Sequence, residues 1–197
     1  MSLKTIFATG IKHFKNIDLD HDKTLQFLKN LNYTNNYPNL SAMTESIKIL
    51  DNSEYGKDIK KTFDIYIKKS IKEFGYKTNF EILNSWGTMT KPGTGSHPHK
   101  HLNFWLSTVY YPYSNNFNIV FQSERFDLPD FDVPLEHNNP FNGRSYNLIV
   151  ETGDLIVFPS KLHHSIGFNN TNDIRYSLAS NIIPRGYIGS RDSRIFL

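Results

Sequence analysis

The chain changes rhythm after Gly75. Before it, apolar residues recur at three- and four-residue steps; after it, they alternate. The clearest helix is expected from Lys57 to Phe74, where Ile59, Phe63, Tyr66, Ile67, Ile71 and Phe74 share one face and Gly75 supplies the stop. A shorter helix is expected with Leu25, Leu28 and Leu31 on its buried side and Asp22 as its cap. Thr5 to Ile17 reads as a short strand bent at Gly10, and Asn32 to Leu40 as a connector.

Beyond Gly75 the alternation of Phe80 and Ile82 leads towards Trp86, and Lys91-Pro92-Gly93-Thr94-Gly95 reads as a turn. Short apolar runs follow at Phe104–Tyr111, Phe117–Gln122, Tyr146–Val150, Leu155–Phe158, His164–Phe168 and Ile174–Ile183, each bounded by Gly, Pro, Asn or Asp. Many short strands without intervening helices predict a mainly β, antiparallel sandwich or barrel, with the N-terminal helices as an apron against its sheet. One connection stands out: Glu124 to Arg144 is about twenty residues long with no periodicity, a length usual for a lid, a substrate loop or a solvated excursion.

Composition narrows the chemistry. A chain of 197 residues is most economically one domain. It contains no cysteine, so disulfides, thiolate metal sites and cysteine nucleophiles are excluded, and any metal must be held by histidine and carboxylate. The net charge of +3 comes from scattered lysines; Lys60-Lys61 and Lys68-Lys69 fit a solvated helix face better than a nucleic-acid stripe. No apolar stretch approaches the ~20 residues that span a bilayer, and Met1-Ser2-Leu3-Lys4 carries no signal-peptide pattern. A soluble, cytoplasmic protein with no membrane partner is expected. The sequence carries no signal for an oligomeric state.

Three of the eight histidines fall within Ser96-His97-Pro98-His99-Lys100-His101. Imidazole is a common metal ligand, and such clustering points to a metal. If the following strand extends backwards, His99 and His101 share a face with Trp105, Ser107, Val109 and Tyr111, residues two apart being about 7 Å apart on one side of a strand. Two ligands need a third to form a facial triad that leaves positions open on a non-haem iron. His163 and His164 both stand in the second half of the chain, straight after Asp154-Leu155-Ile156-Val157-Phe158-Pro159. Further on, Arg175 and Ser177 share a strand face, where a guanidinium fork and a hydroxyl can seat a dicarboxylate.

In that order, Ser85-Trp86, Lys91-Pro92-Gly93, His99-Lys100-His101, Leu106-Ser107-Thr108-Val109-Tyr110-Tyr111, Gly153 to Ser160, His164 and Arg175-Tyr176-Ser177 resemble the Fe(II)- and 2-oxoglutarate-dependent oxygenases. The likeness is greatest to a small group from marine bacteria and their phages that carries His-x-His. It covers Ser85 to Ile182. The resemblance implies a double-stranded β-helix (a cupin-like jelly roll) over residues 77–184, preceded by a supporting strand and helices in 1–76 and followed by an extension in 185–197. It implies Fe(II) held by His99, His101 and His164, with Arg175 and Ser177 clamping the far carboxylate of 2-oxoglutarate. It also implies dioxygen as oxidant and succinate as coproduct. The substrate would be a peptide, a nucleobase or a small molecule, in the host cytoplasm if the chain is phage-encoded.

Three departures bear on these roles. The commoner motif is His-x-Asp or His-x-Glu, so His101 stands where a carboxylate is usual; Glu124 is the alternative third ligand, with His101 then beside the metal rather than on it. Thr108 replaces the subgroup's Gly. His163 replaces a residue that is often Pro and is a second distal candidate of opposite strand parity. His97 precedes Pro98 and is read as a bystander, His137 carries no signal, and His13 and His21 read as plain surface residues. Trp86 reads as packing, and Asp154 as turn chemistry beside Gly153. Two other functions compete: a cupin-like three-histidine dioxygenase without 2-oxoglutarate, in which Arg175 has no task, and a non-catalytic jelly-roll binding module.

Overall fold

The structure is a computed structural model and describes residues 4, 8–35, 39–123, 133–139 and 141–197. In chain order the elements are β1 (Lys12–Phe14), α1 (His21–Lys29), β2 (Tyr33–Thr34), β3 (Ala42–Thr44), α2 (Glu54–Glu73), β4 (Asn79–Thr90), β5 (Leu106–Tyr111) and β6 (Asn118–Gln122). They continue with β7 (Ser145–Ile149), β8 (Asp154–Pro159), β9 (His163–Ile166), β10 (Arg175–Arg185), β11 (Tyr187–Ile188) and β12 (Ile195–Phe196).

Both helices begin with a side-chain cap. Ser53 accepts from the Gly56 amide at the start of α2, and Asp20 accepts from the Lys23 amide at the start of α1. The α1 cap is therefore Asp20 rather than Asp22. Asp22 instead lies in the first turn, where its charge suits the helix dipole.

Among the described residues the strands form a seven-stranded sheet in the order β1-β8-β5-β10-β4-β3-β2, a three-stranded sheet in the order β7-β6-β9 and a two-stranded ribbon of β11 and β12. Every strand pairing within them is antiparallel. The small sheet is extended past β9 by the chain at 96–99. Ser96 N–H donates to the Ile166 carbonyl, and His99 and His164 exchange backbone hydrogen bonds at 2.9 Å in both directions. The result is the jelly roll that the strand pattern and the resemblance implied.

Alternation along β5 and β8 sorts their residues between two apolar clusters. Leu106, Tyr110, Leu155 and Val157 face outward beneath the helices, with Leu178 and Ile182 of β10 and with Leu28, Ile59, Phe63, Ile67 and Ile71. Val109, Tyr111, Ile156 and Phe158 face inward and meet Phe117, Ile119 and Phe121 from the small sheet. The helices thus cover one face of the large sheet, and the interior between the sheets is left for the site. Thr108, on the helix side, is accommodated by a 2.6 Å hydrogen bond to Ser180 of β10.

His13 and His21, read as plain surface residues, are structural, and Asp154 serves its turn and more. His13 Nε2 lies 2.7 Å from Asp154 Oδ2, and His21 bonds the Tyr110 hydroxyl through Nδ1 and Asn16 through Nε2. Asp154 is fully buried in β8, where it also accepts from Lys15 and the Glu151 amide. Strand β1 pairs with β8 and hangs on this carboxylate, a dependence that only long-range contacts reveal.

The helical apron is expected to carry much of the stability. Phe63 is fully buried and meets Tyr110 edge to face. Phe63→Ala should lower the unfolding free energy by about 3–5 kcal/mol in chemical denaturation. A loss below about 1 kcal/mol would mean that the helix–sheet interface contributes little.

Candidate metal centre

His99, His101 and His164 converge although they come from three different local environments. His99 lies on the bridge to the small sheet, His164 on β9, and His101 in the loop before β5. The expectation that β5 extends back through His101 is not met. Its first residue is Leu106, and Leu102–Asn103 turns the chain, with Asn103 at φ 68°. Trp105 consequently packs with the helix-side cluster and Tyr76, away from the inward face of Val109 and Tyr111. The histidines meet through the loop and the bridge rather than through strand parity.

One ring nitrogen from each of the three lies within 4.8 Å of the others, and among the described residues this is the group with that geometry. Ring centroids are 4.5 Å apart for His99 and His164, 5.0 Å for His101 and His164, and 5.3 Å for His99 and His101. Each Nδ1 is already engaged with oxygen. His99 Nδ1 donates to the His97 carbonyl and His164 Nδ1 to the Leu162 carbonyl, both at 2.9 Å; His101 Nδ1 lies 2.6 Å from Asn181 Oδ1 and 3.1 Å from Ser107 Oγ. That leaves Nε2 as the free donor on every ring, the arrangement metal-binding histidines adopt.

At His164 and His101 the electrostatics favour the neutral ring. Burial pushes His164 down to about 3, with the neighbouring histidines adding to the effect and the bond to Leu162 opposing it. Burial also lowers His101, against the opposing bond to Asn181. A neutral imidazole offers the lone pair that a divalent cation needs. Three nitrogen donors of this kind fit an iron(II) centre with open positions.

The remaining candidates are distributed around this group. His97 is exposed and offers its carbonyl rather than its ring. His163 sits beside His164 on β9 but outside the three-histidine group. Trp86 packs beside the group, its ring 5.3 Å from that of His101. Glu124, with the rest of 124–132 and residue 140, lies outside the described residues; among the described ones no carboxylate joins the three imidazoles.

Arg175 is 1% exposed, on the first residue of β10, its guanidinium 4.9 Å from the Tyr111 ring centre and 5.5 Å from that of Phe117. Nη1 donates to the Asn118 carbonyl at 2.7 Å, whereas Nε and Nη2 are buried without a partner among the described residues. Ser177, two residues on, is also buried. Burial lowers Arg175 and raises Tyr111, and in each case the other partner of the pair opposes the shift. Sequence reasoning put Ser107 on one face with His101 but missed Asn181 and Ser160 around it. The available signal for Asn181 was strand parity, because it lies six residues beyond Arg175 on β10.

Residues 84–181 match the family model described as "Putative 2OG-Fe(II) oxygenase". Through this segment the chain belongs to the 2OG-Fe(II) oxygenases, an enzyme family that uses Fe(II), 2-oxoglutarate and dioxygen. Solved structures share the fold across nearly all of it. HygX from Streptomyces hygroscopicus, with nickel, 2-oxoglutarate and hygromycin B bound, is 10% identical with a TM-score of 0.66 over 93% of this chain and 86% of its own. SnoN, the non-haem α-ketoglutarate-dependent epimerase of nogalamycin biosynthesis, is 11% identical with a TM-score of 0.68 over 89% and 78%. A Pseudomonas putida prolyl-4-hydroxylase is 13% identical with a TM-score of 0.59 over 90% and 94%. No curated protein matches by sequence. No helix of the described residues is long and apolar enough to cross a membrane.

The low value at His164 has a sign that can be measured. Between about 6.5, the ordinary histidine value, and about 3, the unfolded chain takes up a proton that the folded chain refuses, so stability falls as pH falls through that window. The melting temperature of the metal-free protein should drop more steeply over this range than that of His164→Gln. Equal slopes would show that His164 is not held neutral by the fold.

Proposed function

We propose that the chain is an Fe(II)- and 2-oxoglutarate-dependent hydroxylase in which His99, His101 and His164 hold the metal, and Arg175 with Ser177 binds the far carboxylate of the cosubstrate. The observation that carries this reading is the guanidinium of Arg175. An arginine keeps its charge inside a protein, and a buried charge without an anion is costly. Nε–H and one Nη2–H point the same way from the planar group, so the unpartnered edge is one that takes a carboxylate in two parallel hydrogen bonds. Nη1 is turned away to the Asn118 carbonyl, which fixes the plane of the fork. A dicarboxylate with one end at this edge and the other towards the imidazoles satisfies both sites.

Bound iron supplies the redox chemistry, in which dioxygen oxidises 2-oxoglutarate to succinate and carbon dioxide and hydroxylates a second substrate. The protein's own part is positional. The three Nδ1 hydrogen bonds hold the rings with Nε2 free. The walls of Val109, Ile156, Phe158 and Phe121 keep water from the interior. Tyr111 and Phe117 face the Arg175 cation with their ring π-systems, which favours a charge in an otherwise dry place. The substrate is a small molecule, a nucleobase or a peptide. HygX and the prolyl hydroxylases, which share the fold, span the first and last of these classes. A three-histidine dioxygenase without 2-oxoglutarate would leave the free edge of Arg175 unexplained.

Succinate release from 2-oxoglutarate in the presence of Fe(II) and ascorbate tests the reading. Arg175→Met should raise the KM for 2-oxoglutarate roughly a hundredfold, the equivalent of about 3 kcal/mol for removing one partner of a buried charged pair. His99→Ala should abolish turnover. An unchanged KM in Arg175→Met would remove the clamp, and succinate formation equal to background in the wild type would remove the activity.

A further inference from the structure

The three imidazoles are not oriented by equivalent means. His99 and His164 give their Nδ1 protons to main-chain carbonyls two residues earlier, so the course of the chain sets their rings. Only His101 has its Nδ1 anchored by side chains, those of Asn181 and Ser107. His101 also lies in a loop, without a strand to direct it. Its orientation therefore depends on residues far away in sequence.

The hydrogen-bond directions around Asn181 settle into one consistent order. An amide oxygen can only accept. Asn181 Oδ1 receives the Ser107 hydroxyl at 2.7 Å and faces His101 Nδ1 at 2.6 Å, so Nδ1 must carry the proton. Ser107 has a single hydroxyl proton, committed to Asn181, so the 2.8 Å contact between Ser107 and Ser160 is donated by Ser160. Ser160, Ser107 and His101 thus all donate towards the Asn181 oxygen or to a group that does. With Nδ1 protonated, the neutral ring has its lone pair on Nε2. The opposite amide orientation would set the Asn181 NH2 group against Nδ1, move the ring proton to Nε2 and silence that nitrogen as a ligand.

The framework makes this network rigid. Asn181 is 4% exposed and lies opposite Ser107 in the β10–β5 register and opposite Asn84 in the β10–β4 register. The register shifts immediately after it, between Asn181 and Ile182. Ser107 and Ser160 are buried as well, on β5 and just beyond β8. Strand β10 therefore carries both Arg175 and the side chain that faces His101.

We propose that Asn181 is a positioning residue whose side-chain oxygen, seated by Ser107 and Ser160, holds His101 in the Nδ1–H tautomer and turns Nε2 towards the metal. This rests on the reading of His101 as a ligand. It explains how an imidazole from a loop works beside two imidazoles fixed by the main chain. The side-chain contacts of Asn181 are with His101 and Ser107, so its part is to position His101.

Two measurements test it on the full chain without using turnover. In the metal-free wild type, two-bond 1H–15N correlation spectra should show His101 protonated at Nδ1 and bare at Nε2. Co(II) titration should show Asn181→Leu binding about 10–100-fold more weakly, with altered ligand-field bands, while Asn181→Asp, which keeps the acceptor, stays within about threefold of wild type. An Nε2–H tautomer in the wild type would overturn the proposal, and that measurement does not depend on any variant folding. Co(II) affinity in Asn181→Leu within about twofold of wild type, with His101→Ala weakened by tenfold or more, would overturn it too. Co(II) binding unchanged in His101→Ala would instead defeat the ligand reading, and the proposal with it.

Discussion

The pair of backbone hydrogen bonds exchanged by His99 and His164 is the constraint on which the rest of the site depends. In an antiparallel pair that exchanges both bonds, the two side chains emerge on the same face. One short bridge thus ties the chain before β5 to β9 and sets two imidazoles side by side, 4.5 Å between ring centres. Without it the 96–99 segment would be a surface loop and the small sheet would end at β9. His101 then needs only a turn and one hydrogen-bond network to join them.

The large sheet serves two interiors at once. Its helix side is closed by α1 and α2, so the strands are held without help from the site. Its inner side is apolar at Val109, Tyr111, Ile156 and Phe158, but strand β10 introduces Arg175, Ser177 and Asn181, all buried. Such polar insertions are costly unless they have partners. Asn181 has its partners within the protein; the Nε–Nη2 edge of Arg175 has none among the described residues. On the reading proposed above, the cosubstrate satisfies that edge, and the buried charge of Arg175 is a binding determinant rather than a defect.

The fold class was legible because alternation from Phe80 onward maps directly onto strands buried on one or both faces, with each break falling at Gly, Pro, Asn or Asp. The site was legible in part. The resemblance named the three histidines, and the geometry brings together those same three. The route to them was not legible: parity along β5 fails at Asn103, where a positive φ turns the chain, and what replaces it is a bridge between residues 65 positions apart. The roles of His13, His21 and Asp154 were hidden for the same reason, since each depends on a partner from a distant strand or helix. Asn181 could have been found by extending the alternation from Arg175 and Ser177, but nothing local to Asn181 reveals that it faces His101.

The most direct test of the central claim is anomalous diffraction at the iron edge from anaerobic crystals grown with Fe(II) and 2-oxoglutarate. A single peak bonded by Nε2 of His99, His101 and His164, with the far carboxylate on Nε and Nη2 of Arg175, is the result expected. A metal held by a carboxylate in place of His101, or a cosubstrate whose far end does not touch Arg175, would contradict it.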